Sequence, residues 1–167
     1  MKKFIKIKPF QETLNRGMCG PATMKMVLDY YGIHKTEKEL AKLMHHTNEL
    51  GTTNKDVERV AKKFGLRTVI KRKASFNDIG KWLSHKVPII VDWFTRGRPD
   101  YGESEIADGH YSVVVGLDDQ YIYLQDPEIG KIRKLKRDDF LKVWFDFRGK
   151  YIQPNKLDIR LLIAVYK

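Results

Sequence analysis

Met24, Val27, Leu28 and Tyr31 recur at i, i+3, i+4 and i+7, the spacing that lines one face of a helix. Gly32 follows as a C-terminal stop, and Pro21 falls in the first turn, where a missing N–H costs nothing. The helix read this way opens on Gly17-Met18-Cys19-Gly20-Pro21-Ala22-Thr23, which contains the one cysteine of the chain. Upstream, Met1 to Lys8 alternates apolar and basic residues like an edge strand, and Pro9 to Gly17 is a polar loop. Downstream, Thr36-Glu37-Lys38-Glu39 is a capping box that opens a second helix with Leu40, Leu43 and Met44 on its apolar side. After a Gly-containing turn from Asn48 to Thr53, Val57, Val60, Ala61 and Phe64 mark a third helix, ended by Gly65.

From Leu66 the period changes. Leu66 to Lys71 is rich in strand formers, and Ser75-x-x-Asp78 caps a short helix carrying Ile79, Trp82 and Leu83. Val87-Pro88-Ile89-Ile90-Val91 is a continuous apolar run, read as a buried strand with its proline near the start. Thr95 to Gly109 is a polar loop long enough to suggest a rim or cover. His110 to Gly116 is β-branched, Leu117 to Gln120 is a turn, and Tyr121 to Gln125 is the return strand that ends at Asp126-Pro127. Lys131 to Leu135 gives a further strand, Asp138 and Asp139 lead into a short helix with Phe140, Leu141 and Trp144, and Ile159 to Tyr166 closes the sheet. Helices first and antiparallel strands later, with no βαβ alternation, predict an α+β fold. A length of 167 residues suits one domain spanning 1–167.

Composition narrows the function classes. A single cysteine excludes an internal disulfide, and with five scattered histidines it leaves no zinc-ligand spacing. No apolar run has the shape of a signal peptide or the length of a membrane span, so the chain reads as a reduced cytoplasmic protein. The net charge of +11 raises the question of nucleic acid. Residues 1–80 hold 17 basic against 8 acidic side chains, whereas 92–128 hold 2 against 9. No aromatic stack, zinc knuckle or recognition helix accompanies the basic half, so a solvated basic face is expected and nucleic acid is not. Oligomeric state is left open.

The candidate chemistry gathers around Cys19. A thiol at a helix N-terminus feels the positive end of the helix dipole, which favours the reactive thiolate. Such a nucleophile needs a base, a group that orients the base, and donors for the oxyanion. His110 starts a strand after a loop, so its ring can stand at the edge of a cleft. Asp126 ends the return strand and comes near His110 if Asp118-Asp119 forms the hairpin tip. Gln11, eight residues before Cys19, is a candidate second oxyanion donor beside the Cys19 N–H, with Asn15 competing for the role.

The ordered set is more specific than its members. Gln11, Cys19-Gly20-Pro21-Ala22, Met26 to Gly32, Gly51-Thr52, Val87 to Val91, Gly109 to Gly116, Asp126-Pro127 with Gly130, and a Phe140…Trp144 helix follow in turn. In this the chain resembles the bacteriocin-processing cysteine peptidases that cut double-glycine leader peptides, and particularly their stand-alone relatives in the papain-like clan. The resemblance runs from residue 4 to about 145. It implies a papain-like fold, with the nucleophile helix in an N-terminal helical half packed on a C-terminal antiparallel sheet. It also implies Cys19 as nucleophile, His110 as base, Asp126 as its partner and Gln11 as oxyanion donor. The expected activity is hydrolysis of a peptide or amide bond in a peptide or protein substrate, with no metal or organic cofactor. A catalytically silent binding domain and an acyl transferase of the same fold are the alternatives. Two features depart from the family: its glutamine stands closer to the cysteine, Leu14 to Arg16 reading as extra loop, and no transporter segment is present, so the leader-peptide substrate is not carried over.

Overall fold

A computed structural model describes residues 2–48, 51–95, 109–147 and 153–167. The chain runs β1 (Lys3–Phe4), α1 (Cys19–Tyr30), α2 (Glu37–Leu43), α3 (Asn54–Lys63), β2 (Arg67–Lys71), α4 (Phe76–Ser84), β3 (Ile89–Phe94), β4 (Gly109–Leu117) and β5 (Tyr121–Asp126). It continues with β6 (Lys131–Lys136), α5 (Arg137–Val143), β7 (Phe145–Phe147), β8 (Leu157–Ile159) and β9 (Leu162–Tyr166). Among the described residues the main sheet has the order β2-β9-β3-β4-β5-β6, with β1 paired to β4, and all its pairings are antiparallel. The architecture is α+β, with three helices between β1 and the remaining strands of the sheet, in keeping with the change of hydrophobic period. Of the long loop expected before His110, residues 96–108 lie outside the described residues.

Local chemistry accounts for the helix boundaries. Complete capping boxes open α2 at Thr36/Glu39, α3 at Thr53/Asp56 and α4 at Ser75/Asp78, each satisfying two otherwise orphaned N–H groups. Gly32 ends α1 with φ +77°, a left-handed turn that costs glycine nothing. The body of α1 differs from the one-sided helix that its spacing suggests. Ala22, Met24, Met26, Val27 and Leu28 are all fully buried, and Lys25 and Asp29 turn outward, paired at 3.0 Å. A helix apolar on nearly every side belongs inside, and α1 is enclosed between α2, α3 and β4. Close approach also shapes its start. A Cβ on Gly20 would lie 2.6 Å from both Cβ and Oγ1 of Thr52, so the residue after Cys19 must be glycine for this turn to settle on the Gly51-Thr52 segment.

Two register details depart from simple alternation. The last apolar run forms two strands, because Arg160 at φ +48° turns the chain between them. β8 pairs with β7 in a separate ribbon, while β9 inserts between β2 and β3. The second detail is a bulge in β4. Leu117 pairs with Ile122 and Gly116 with Tyr123, but beyond the shift Val114 pairs with Leu124 and Val113 with Gln125. One extra residue in β4 exchanges the faces of the two strands relative to each other.

Gly20→Ala is expected to lower stability by about 1–3 kcal/mol in urea denaturation, the scale of a forced steric insertion. Adding Thr52→Gly, which removes the three nearest atoms, should recover part of that loss. Strict additivity of the two substitutions would rule out the contact as the cause.

Candidate active site

The bulge decides what faces His110. Extending the pairing of Val113 with Gln125 by one residue sets Asp126 opposite Ser112, on the same face as His110 and diagonal to it. Without the shift, Asp126 would oppose Val113 and point to the other side of the sheet. As built, His110 Nε2 donates to Asp126 Oδ1 at 2.6 Å. The other Asp126 oxygen, Oδ2, accepts from Arg133 Nε at 2.7 Å, and the backbone N–H of Glu128 donates to Oδ1 at 3.0 Å. Asp126 is 0 % exposed. Burial by itself would raise its pKa, but the positive charge of His110 and the hydrogen bonds from His110 and Arg133 hold it well below the usual carboxylate range.

An ionised Asp126 fixes the tautomer of its partner. A carboxylate only accepts, so Nε2 carries a hydrogen and Nδ1 is left for the thiol. Cys19 Sγ lies within 4.8 Å of a ring nitrogen of His110. Burial acts to lower the imidazole pKa, yet the Asp126 charge and hydrogen bond, together with the neighbouring Cys19, raise it well above its ordinary value. Trp93 covers the ring edge-on with centroids 5.7 Å apart, and its indole N–H donates to Ser112 Oγ at 3.1 Å. Phe140 of α5 packs on Trp93 in turn, so the helix after β6 braces the imidazole from behind.

Cys19 is the first residue of α1 and is half-buried, with its backbone N–H among the groups that have no partner one turn earlier in a helix. The helix is tied to the strand beside the imidazole: one turn on, Thr23 Oγ1 donates to the Tyr111 carbonyl at 3.1 Å. Nearby, Asp92 is 3 % exposed and lies beside the Asp146 carboxyl. Burial first, and then the charge of Asp146, push Asp92 well above the ordinary carboxylate value. Gly109 permits this arrangement, since a Cβ there would lie 2.2 Å from Asp146 Oδ1.

The loop before Cys19 brings a different residue to the thiol from the one its sequence suggests. Gln11 is exposed, and its Nε2 donates to the Glu128 carbonyl at 3.2 Å while its Cβ presses on Gly130. Asn15 is exposed on the following turn with φ +59°. Between them Glu12 is partly buried, and one of its carboxylate oxygens, Cys19 Sγ and a ring nitrogen of His110 all lie within 4.8 Å of one another. His110, Asp126 and Glu128 form a second such group, also centred on the imidazole. The hydrogen bonds already described engage Nε2 and both Asp126 oxygens, and we assign no metal to these groups.

Arg133, Trp93 and Glu12 were not candidates from sequence. Arg133 lies in a strand whose alternation suggests Ile132 as the inward residue, yet Arg133 is buried and Ile132 is 51 % exposed. The carboxylate of Asp126 reverses the usual preference. For Trp93 and Glu12 the available signals were adjacency to a buried run and to Gln11, neither of them specific.

A half-buried thiol at the head of an enclosed helix, set against an imidazole and carboxylate from an antiparallel sheet, is the arrangement of the papain-like cysteine peptidase fold. A sequence model of the Peptidase_C39 like family matches residues 4–152, and the chain belongs to that family. A protein of Methanothermobacter marburgensis is 30% identical over 144 residues, covering 86% of this chain and 88% of the relative. The transport/processing ATP-binding protein ComA of Streptococcus pneumoniae is 30% identical over 128 residues, 75% of this chain but only 16% of that much longer protein. Among solved structures, the peptidase domain of Streptococcus ComA, a bi-functional ABC transporter of a quorum-sensing pathway, matches with a TM-score of 0.68 at 24% identity. That match covers 95% of this chain and 97% of the domain. A double-glycine-motif protease from an AMS/PCAT transporter, in complex with its leader peptide, matches with a TM-score of 0.67 at 20% identity, over 99% of this chain and 95% of that one. Among the described residues, no helix of this chain is long and apolar enough to cross a membrane.

Replacing Asp126 by Ala strands two buried cations, so we expect a loss of about 3–5 kcal/mol in urea denaturation at neutral pH. The pH dependence carries a sign. The folded-state pKa of Asp126 is depressed, so its contribution is present above the unfolded value of about 4 and disappears as pH falls below it. The stability gap between wild type and Asp126→Asn should therefore narrow on acidification from about pH 5 toward pH 2. A gap constant over that range would refute the charged pairing.

Proposed function

We propose that the protein is a cysteine-type hydrolase of peptide or amide bonds, with Cys19 as nucleophile, His110 as general base and acid, and Asp126 holding the imidazole. The observation that carries this reading is that Cys19 Sγ lies within 4.8 Å of a ring nitrogen of His110 while His110 is hydrogen-bonded to Asp126, with the thiol half-buried and not sealed in the core. His110 takes the thiol proton at Nδ1, and the thiolate attacks the carbonyl carbon. The carbonyl π electrons move to oxygen, where the Cys19 backbone N–H is placed to donate. The imidazolium then protonates the leaving amine, the C–N bond breaks, and a thioester remains. Water, deprotonated by the same imidazole, hydrolyses it and returns the thiol. Throughout, Asp126 stays ionised and offsets the charge on the imidazolium, as the neighbouring Arg133 keeps it from taking up a proton.

A peptide is the substrate class we favour, by likeness to the protease that was solved with its leader peptide bound. The chain spans 16% of the transporter protein it resembles, so transport forms no part of the proposal.

The test uses the chain's single thiol. With iodoacetamide at about pH 6.5, wild type should be alkylated roughly 10- to 100-fold faster than His110→Ala, because an ordinary thiol is about 1% ionised there. Cys19→Ala should not be labelled. Wild-type alkylation at the rate of a free thiol, unchanged by His110→Ala, would leave a silent binding domain as the reading.

A further inference from the structure

Three consecutive residues of the loop before α1 are fixed by three different partners. Gln11 holds the Glu128 carbonyl through its side chain and leans on Gly130. The backbone N–H of Glu12 donates to the Pro127 carbonyl at 2.9 Å. Thr13 donates to Glu37 twice, from its N–H at 3.0 Å and from its hydroxyl at 2.6 Å. The segment is thus stapled to the Asp126-Pro127 turn on one side and to α2 on the other. Glu12 is left facing the thiol and imidazole, with its carboxyl inside the 4.8 Å cluster. Its Oε2 is buried and has no hydrogen-bond partner. A buried carboxyl oxygen without a partner carries a desolvation cost, and this carboxyl stands beside the thiol, whose reaction would create a new acceptor.

We propose that the Glu12 carboxyl, as an O–H donor, supplies the second hydrogen bond to the oxyanion formed at Cys19, in the place where sequence pointed to Gln11. The inference rests on the thiol-hydrolase reading above and adds to it a residue that contacts the reacting carbonyl oxygen. No proton is transferred in the step. Electrons move from the C=O bond to oxygen as the C–S bond forms, and the Glu12 O–H donates a hydrogen bond to the resulting O⁻, alongside the Cys19 N–H.

Burial raises the Glu12 pKa, the charge of His110 opposes this, and the carboxylates of Asp126, Glu128 and Glu37 add to the rise, leaving it at about 7. The groups facing it are Cys19 from α1, His110 from β4, Asp126 from β5, Glu128 from the turn after β5, and Glu37 from α2. Below that pH Glu12 is a donor. Above it the group becomes an acceptor with negative charge, which opposes both the thiolate and the oxyanion. The oxyanion site is therefore strong on the acid side of neutrality and weakens with rising pH.

Two reagents separate nucleophile from oxyanion site. Iodoacetamide alkylates the thiolate without forming an oxyanion at the attacked carbon, whereas p-nitrophenyl acetate acylates it through one. The readout is the ratio of acylation rate, with enzyme in excess, to alkylation rate at each pH. In wild type this ratio should fall as pH rises through about 7, following the ionisation of a single carboxyl. Glu12→Gln keeps a donor that does not titrate, so its ratio should stay flat from about pH 6 to pH 9. Glu12→Ala should lower the ratio at about pH 6 by at least about tenfold, the scale of losing one oxyanion donor to an activated ester. A wild-type ratio that is flat over the range, or a Glu12→Ala ratio equal to wild type at the acid end, overturns the assignment. In either case fast, His110-dependent alkylation would leave the hydrolase reading standing. Slow alkylation insensitive to His110 would remove both.

Discussion

Asp126 is the constraint on which the rest depends. It is a fully buried carboxylate, and such a charge persists only when other groups compensate for the lost water. Here the compensation comes from three directions: the imidazole of His110, the guanidinium of Arg133 and the backbone N–H of Glu128. Each of these settles something else. The bond to His110 sets the tautomer that frees Nδ1 toward the thiol. The bond to Arg133 draws an arginine inward on β6 and turns Ile132 out. The bond to Glu128 shapes the turn whose carbonyls then hold Gln11 and Glu12. A single charge thus organises the sheet edge, the imidazole and the loop that borders the thiol.

The site is assembled from parts that do not share an element. α1 contributes the sulfur and its N–H, β4 the imidazole, β5 the carboxylate, and the loop before α1 a second carboxyl. What keeps them in register is packing around them. α1 is buried on nearly every side and tied to β4 by Thr23, while Phe140 and Trp93 close the space behind the imidazole. Bracing of this kind lets the thiol and the imidazole keep their geometry without a covalent link between the two halves.

The two carboxyls near His110 have opposite environments. Asp126 receives hydrogen bonds from two cationic groups and stays ionised, whereas Glu12 is desolvated among acidic neighbours and sits near neutrality. Separation of pKa values between adjacent carboxyls is a common way for one site to hold both a fixed charge and a proton donor. The same pressure acts on Asp92, whose pKa burial and Asp146 push well above the ordinary carboxylate value. The acidic excess in 92–128 is therefore only partly a solvated surface, since Asp92 and Asp126 are interior.

By itself the sequence determined the elements and the kinds of chemistry available. Helix period, capping boxes and glycine stops are read from a few neighbouring residues, so Cys19 was legible at the head of a helix, and His110 and Asp126 were legible on adjacent strands. The α+β order and the family resemblance came from the same local patterns. Tertiary structure decided what touches what. A bulge of one residue in β4 put Asp126 on the face of His110, and side-chain alternation of period two gives no warning of such a shift. Arg160 split the final apolar run, although its composition is that of one strand. The choice among Gln11, Glu12 and Asn15 was made by staples to residues more than twenty positions away, Glu37 and the turn after Asp126. Loop residues of similar polarity look alike in sequence, and only the partners that fold back onto them select which one faces the thiol.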